Sequence, residues 1–267
     1  MSKKILAIVM SIVLVFGVVC AFAACGKDET IVVAEAGSAG ESVMNENEYF
    51  ADFTKTPVDT QAKALMEVSA GTADMAVIDY VMSIGSIGEG TDFENLTLLE
   101  DASFSPEEYG IAFRKGSDAV NYVNAAIKDL KNDGTLENIA KNYKLQDLLL
   151  ADAEYEEVKA AEESDWEYIK EKGTLVVGIT YFAPMNYKDE SGKLVGFETE
   201  FAEAVAAELG LEVKFQVIDW NSKETELASK NIDCIWNGMT ITPEREENMQ
   251  ISIPYMQNKQ AVVVKAD

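Results

Sequence analysis

Short apolar runs alternate with amphipathic helical segments along nearly all of residues 31–267, and this alternation restricts the fold more than any other property of the chain. "IVVAEAGSAGES" (31–42) reads as a strand, a glycine turn and a helix start. In "PVDTQAKALMEVSAGTADMAVIDY", Ala62, Leu65, Met66 and Ala70 recur at helical spacing, Gly71 stops the helix, and "DMAVID" follows as a buried strand. "NLTLLED" (95–101) and "YGIAFRKGSD" (109–118) are further strands, the second closing at Gly116. Ser117 or Asp118 then caps a helix through Leu130, and "DGTLENIAKNYKL" adds a shorter one. Beyond residue 165, "WEYIKEKGTLVVGIT" is helix then strand and "KLVGFETEFAEAVAAELG" an amphipathic helix closed by Gly210. "EVKFQVIDW" is a strand, "KETELASKNIDCIWNG" helix then strand, and "QAVVVKAD" a last strand. Such repeated strand–helix order implies an α/β fold with mostly parallel sheets.

Two segments fall outside this pattern. Residues 146–164, within "QDLLLADAEYEEVKAAEESD", are rich in Ala and Glu and poor in large apolar residues, so they read as a linker with some helix. Residues 1–24 contain no acid: Lys3 and Lys4 precede an apolar run from Ile5 to Ala24, interrupted by Ser11 and Gly17. That is the layout of an export signal, and it places the rest of the chain outside the cytoplasm. "FAACG" resembles a bacterial lipobox, which makes Cys25 the expected lipidation site and membrane anchor, although Phe22 stands where leucine is usual.

Composition removes several function classes. A net charge of −25 argues against nucleic acid as a partner, because phosphates would be repelled. The chain has no histidine, so the commonest general base and transition-metal ligand are missing. Past Cys25 only Cys234 remains, so no disulfide forms within the exported part. Cys234 itself reads as a small core residue, having no histidine to activate it. The acidic runs lack the spacing and central glycine of a calcium loop. Neither a metal nor a cofactor is expected.

"GMTITPER" (238–245) is the stretch that asks for a ligand. Only two of the 22 basic residues are arginine, Arg114 and Arg245. Thr242 caps a helix with Pro243 at its first position, which sets Arg245 in the first turn, where the dipole and free N–H groups also favour an anion. The alternative is a surface arginine pairing with Glu246 or Glu247.

Several of these segments resemble, together, the extracytoplasmic amino-acid-binding proteins of ABC importers, the polar-amino-acid solute-binding family 3. They are "GTLVVGITYFAPMNYKDESGKLVGFETEFAEAVAAELG", "NIDCIWNGMTITPER", "AGSAGES", "GTADMAVIDY" and "EEYGIAFRKGSD". The resemblance implies a two-lobed, type II periplasmic-binding-protein-like fold. The order differs from the family's: its closing half stands first (31–145) and its opening half second (165–267), so the chain reads as circularly permuted, with 146–164 joining the old termini. The resulting expectation is one lobe over 31–108 (the family's second) and the other over 109–267, linked by a single crossing near Glu108 to Ile111.

By the same resemblance, Arg245 holds a ligand α-carboxylate, Thr240 adds a hydroxyl and an N–H, and Gly238 offers a carbonyl to the α-ammonium. The N–H groups of Ser38 and Ala39 meet the carboxylate from the other lobe, although Ala39 stands where the family often has threonine. Asp79, at the carboxyl end of a strand, takes the α-ammonium. Its alternative role is a helix N-cap, which asparagine would fill equally well. Phe182 and Trp220 cover the two faces of the ligand, unless they are plain core or lip aromatics, and Asn237 lies beside the carboxylate site. Ile179 stands where binders of basic amino acids tend to carry an acid, which implies a neutral ligand side chain, with Glu35 as a possible partner for a cation. The implied function is a monomeric, lipid-anchored binding protein, not an enzyme, that captures a free L-amino acid and delivers it to ABC permease subunits. The alternatives are a cyclohexadienyl-dehydratase-like enzyme on the same fold, with Glu35 as its acid or base, and a non-transport ligand receptor.

Overall fold

The computed structural model describes residues 29–150, 152–160 and 163–266, so the expected leader and Cys25 lie outside the described residues. In chain order the first strands are β1 (Ile31–Glu35), β2 (Thr54–Val58), β3 (Met75–Asp79), β4 (Leu96–Tyr109), β5 (Ala112–Arg114) and β6 (Thr174–Ile179). They are followed by β7 (Tyr187–Lys188), β8 (Leu194–Val195), β9 (Glu212–Val217), β10 (Cys234–Ile235), β11 (Met249–Ile251) and β12 (Met256–Lys265).

Two five-stranded sheets organise the chain, in the orders β2-β1-β3-β12-β4 and β11-β5-β10-β6-β9, and β7-β8 form a small hairpin. Val32, Val33 and Ala34 of β1 are buried on both faces, as a central strand covered by helices requires. The helix Gln61–Ala70 joins β2 to β3. Its cap is Thr60, whose hydroxyl accepts the Lys63 N–H at 3.0 Å, and it ends at Gly71 in the left-handed region. The architecture is α/β as expected, but each sheet combines two parallel with two antiparallel pairings. The antiparallel strands β4, β5, β11 and β12 are those by which the chain leaves or enters a sheet.

That traffic corrects the expected boundary. The chain passes between the sheets twice, at Gly110–Ile111 and again between Ile251 and Met256. β12 belongs to 109–267 in sequence, yet it is hydrogen-bonded between β3 and β4 in the first sheet. The reason lies in its pattern: Val262 and Val263 are fully buried and complete the apolar surface of β3. The two crossings pack against each other closely. A Cβ on Gly110 would stand 2.6 Å from Ile251 Cγ2 and 3.0 Å from Ile241 Cδ1, so only glycine fits without displacement. At one end of the first sheet, Ile31 and Val263 flank β3, since the Asp74 N–H donates to the Ile31 carbonyl and Val263 pairs with Ala76. The described ends of the chain are thus about two strand spacings, roughly 10 Å, apart.

The linker is docked onto the second half. After a 3₁₀ turn at Gln146–Leu148, the Leu150 N–H donates to the Tyr255 carbonyl at 2.9 Å. The Asn121 amide holds Val158 in both directions, at 2.8 and 2.9 Å. Asp118, expected as a candidate helix cap, instead accepts the Ser164 hydroxyl at 2.6 Å and the Trp166 N–H at 2.9 Å. Arg114 completes this seam. Its guanidinium grips Asp165 through Nε (2.9 Å) and Nη2 (2.8 Å), and Nη1 donates to the Ile232 carbonyl at 2.7 Å. One of the two arginines is therefore a structural clamp with its carboxylate supplied from within.

Candidate functional site

A narrow, largely enclosed and almost filled cleft, with about 10 Å³ free, lies where the ends of β1 and β3 in one sheet face the loops after β6 and β10 in the other. All nine candidate ligand-binding residues line it: Ser38, Ala39 and Asp79 on one side, Phe182, Trp220 and Asn237 on the other, with Gly238, Thr240 and Arg245. Glu35, expected near the pocket, is in the wall too, and the structure adds Gln61, Thr180 and Tyr181.

Arg245 is 8% exposed, and no carboxylate among the described residues lies within ion-pair distance of it. Thr242 caps its helix by accepting the Arg245 N–H at 3.2 Å, and Pro243 opens the first turn. Nη1 donates to the Thr240 carbonyl at 2.8 Å and Nη2 reaches across the cleft to the Gly37 carbonyl at 3.2 Å. Pairing with Glu246 or Glu247 is not what holds it. Burial draws its pKa down, against the pull of Asp79 and Glu107.

The opposing turn is built by Ser38, which caps the helix Ala39–Glu46 by accepting the Glu41 N–H at 3.0 Å. Its own N–H is bonded to the Glu35 carbonyl at 3.2 Å, whereas the Ala39 N–H has no partner among the described residues. Of the two expected N–H donors, Ala39 is the unoccupied one.

Asp79 stands at the N-cap position of the helix Tyr80–Ser86 but makes no side-chain cap bond. Asn258 does that work, its Oδ1 accepting the Val81 N–H at 3.3 Å. The Asp79 carboxylate instead gathers three amide donors: Gln61 on Oδ2, Asn258 on Oδ1, and Gln260 on Oδ1 at 3.0 Å. Gln61 is fixed in turn, since its Oε1 accepts the Asp79 N–H at 2.9 Å. Burial raises the Asp79 pKa despite these donors. Glu107 extends the network, accepting from Gln260 (2.9 Å), Asn258 (3.2 Å) and the Thr240 hydroxyl (3.3 Å), and burial raises its pKa as well.

Gly238 has φ 55°, and a Cβ there would fall 2.4 Å from Phe182 Cε1. Only glycine allows the loop to lie under that ring. Its N–H donates to both oxygens of Glu198, at 2.8 and 3.1 Å, and Tyr255 donates its hydroxyl to the same carboxyl. Glu198 is 1% exposed, and burial pushes its pKa up to about 7. Asn237 lines the cleft with its amide already committed: Oδ1 accepts from Thr180 N (3.0 Å) and Oγ1 (2.7 Å), and Nδ2 donates to the Thr180 carbonyl (3.0 Å). Its visible task is to tie the loops after β6 and β10 together.

Ile179 is buried in the core and does not line the cleft. The residue that reaches the wall in its place is Glu35, at the end of β1. It is 4% exposed, its Oε1 has no hydrogen-bond partner among the described residues, and burial with Asp79 nearby pushes its pKa up to about 8. Lys223 is also buried. It donates to the carbonyls of Gly37 (3.0 Å) and Trp220 (3.2 Å), sits 4.9 Å from the Trp220 ring, and burial lowers its pKa to about 8. Sequence reasoning missed Gln61, Glu107, Glu198, Lys223, Asn258 and Gln260. Three carried a readable signal: Glu198 precedes Phe201 by three on an apolar helix face, and Asn258 and Gln260 share the inward face of a strand with Met256 and Val262.

Residues 175–267 match the bacterial extracellular solute-binding proteins, family 3. The L-cystine-binding protein TcyJ of Escherichia coli (strain K12) is 39% identical over 101 residues, 37% of this chain and 38% of that protein. The arginine-binding extracellular protein ArtP of Bacillus subtilis (strain 168) is 38% identical over 97 residues, 36% of this chain and 38% of that protein. Among solved structures, the arginine-bound form of domain 1 from TmArgBP is 34% identical over 37% of this chain and 84% of that one, with a TM-score of 0.33. The chain thus spans about two-fifths of the length of the curated relatives it matches. The matched stretch carries Phe182, Trp220, Asn237, Gly238, Thr240 and Arg245, whereas Ser38, Ala39 and Asp79 lie outside it.

Proposed function

Because residues 175–267 match the bacterial extracellular solute-binding proteins, family 3, we propose that the chain belongs with them, captures one free, neutral L-amino acid between two lobes and presents it to the permease of an ABC importer. The observation that carries this reading is the pair of opposite, buried charge holders on facing walls of one cleft. Arg245 is without a carboxylate partner among the described residues, and Asp79 is set up by amides on the opposite wall. A buried guanidinium is costly unless an anion meets it, and a zwitterion supplies an anion and a cation a fixed distance apart. Arg245 and the N–H groups of Thr240 and Ala39 would take the α-carboxylate, with Asp79 and the Gly238 carbonyl on the α-ammonium. Phe182 and Trp220 would enclose the body of the ligand. A neutral side chain fits the remaining charge: Glu35, at about 8, is mostly the uncharged acid near pH 7. Binding alone is proposed, without turnover; conversion of a bound ligand in a product assay would favour the dehydratase-like alternative, with Glu35 as its acid.

The protein is further proposed to act as a monomer outside the cytoplasm, tethered through lipid on Cys25, with its segment order circularly permuted. Rejoining residue 266 to residue 29 through a short spacer and opening the chain within 146–164 is expected to keep ligand binding. A reordered chain that melts cooperatively yet binds nothing would refute the permutation.

The test of function is a thermal-shift panel of the twenty amino acids plus cystine. A ligand at ~100 times its Kd adds about 2.7 kcal/mol, or roughly 5–11 °C for a chain of this size. Arg245→Ala should abolish that shift; a shift that survives the substitution unchanged removes the proposed site.

A further inference from the structure

Within the cleft, one almost fully buried side-chain oxygen has no partner among the described residues. Glu35 ends β1 two residues before the turn that faces Arg245, and its Oε1 makes no hydrogen bond. The nearest polar side chains are turned mainly to other partners. Gln61 is bonded in both directions to Asp79, and Lys223 Nζ is bonded to the carbonyls of Gly37 and Trp220. Each keeps one N–H in reserve, yet neither reaches the Glu35 Oε1 at hydrogen-bond distance. Trp220 and Phe182 also line the cleft, and a ligand atom entering it can supply the partner that Oε1 lacks among the described residues.

We propose that Glu35 selects the ligand's side chain, and that the side chain it selects is neutral and carries an N–H donor beside an acceptor, a carboxamide being the best match. The inference rests on the amino-acid-binding reading of the same cleft. An uncharged carboxyl donates through its O–H and accepts through its C=O, and a primary carboxamide presents the mirror pair, so the two close a two-point contact. Burial favours that uncharged form of Glu35. A purely apolar side chain would leave the buried Oε1 unpaired. A cationic one would bring a third positive charge close to Arg245 and Lys223, which already act on each other.

The experiment is calorimetric titration of the whole chain with glutamine, asparagine, methionine and arginine, for the wild type, Glu35→Gln and Glu35→Leu. Leaving a buried polar group unpaired corresponds to about 5–150-fold in Kd. The wild type is expected to prefer a carboxamide ligand over methionine by at least about tenfold within that range. Glu35→Leu should compress the preference to within about threefold while leaving methionine nearly unchanged. Glu35→Gln, which keeps a donor and an acceptor, should retain carboxamide binding within about tenfold. A preference untouched by Glu35→Leu overturns the assignment. So does a wild type whose best ligand is arginine, weakened more than about tenfold by Glu35→Gln, because Glu35 would then read a cation as a carboxylate. A chain that binds no amino acid overturns both readings. One that loses its ligand in Arg245→Ala, but whose glutamine-to-methionine ratio ignores Glu35, overturns this one alone.

Discussion

Asp79→Asn separates a ligand-holding carboxylate from a helix cap, because asparagine serves an N-cap as well as aspartate but cannot pair an ammonium. The cap role is weak on geometry: Asp79 makes no cap bond, and Asn258 accepts the Val81 N–H in its place. The perturbation keeps the shape of the side chain. Its Oδ1 can still accept from Asn258 and Gln260. Its new Nδ2 would face the Gln61 Nε2, and Gln61 cannot rotate to help, since its Oε1 holds the Asp79 N–H at 2.9 Å. One charge-assisted bond and the counter-charge of a buried ammonium are lost together. Removing one partner of such a pair costs about 2–5 kcal/mol, and substitution by a dipole belongs at the low end, about 2–3 kcal/mol. That is a Kd weakened roughly 30–150-fold. Titration calorimetry with the ligand found by the thermal panel measures it directly, with a ligand-free melt beside it to show that the fold persists. A Kd within threefold of the wild type would refute the reasoning and leave Asp79 a structural residue held by amides.

Two further outcomes follow from the same geometry. Gly238→Ala forces a Cβ to 2.4 Å from the Phe182 ring at a left-handed φ, so a loss of about 2–4 kcal/mol, read as a lower melting midpoint, is expected together with loss of binding. Glu198 and Glu35 are pushed by burial to about 7 and about 8 from an ordinary value of 4.5. Between those limits the folded chain holds protons the unfolded chain has released, so their contribution is full below about pH 4.5 and is lost as pH rises toward 8. The melting midpoint of Glu198→Gln relative to wild type should therefore improve between pH 5 and pH 8; a difference independent of pH would show that Glu198 ionises normally.

The legibility of the chain follows from the range of the interactions involved. Strands and helices such as Met75–Asp79 and Gln61–Ala70 were readable because apolar period, caps and glycine stops act within a few residues. The two sheets' membership was not, because β12 carries no local mark of which sheet it joins; its place is decided by β3 and β4, more than 140 residues away. The proposed charge holders Arg245 and Asp79 stood out through rarity and strand-end position. The amides that orient Asp79 did not: Gln61, Asn258 and Gln260 are ordinary polar residues until the fold turns them onto one carboxylate. The neutral-side-chain expectation rested on Ile179, which is in the core; Glu35, which the sequence offered only as a partner for a cation, shows its burial and unpaired oxygen in the fold alone.

The two arginines make the argument for a missing anion by contrast. Both are largely withdrawn from solvent, and both spend Nη1 on a backbone carbonyl, Ile232 for Arg114 and Thr240 for Arg245. Arg114 then finds Asp165, whose two oxygens fit its fork, and the seam between β5 and the helix Asp165–Lys172 is closed for good. Arg245 finds only the Gly37 carbonyl, at 3.2 Å, on the far wall of the cleft. A carbonyl replaces part of the hydration a guanidinium gives up but none of the charge, so the cleft as it stands leaves Arg245 short by what a carboxylate would supply. The bond to Gly37 also spans the two walls. On the proposed reading an entering α-carboxylate meets a guanidinium already turned to receive it, beside the unoccupied N–H of Ala39. The same contact that satisfies the charge then draws the walls together, and ligand affinity sets the closed population.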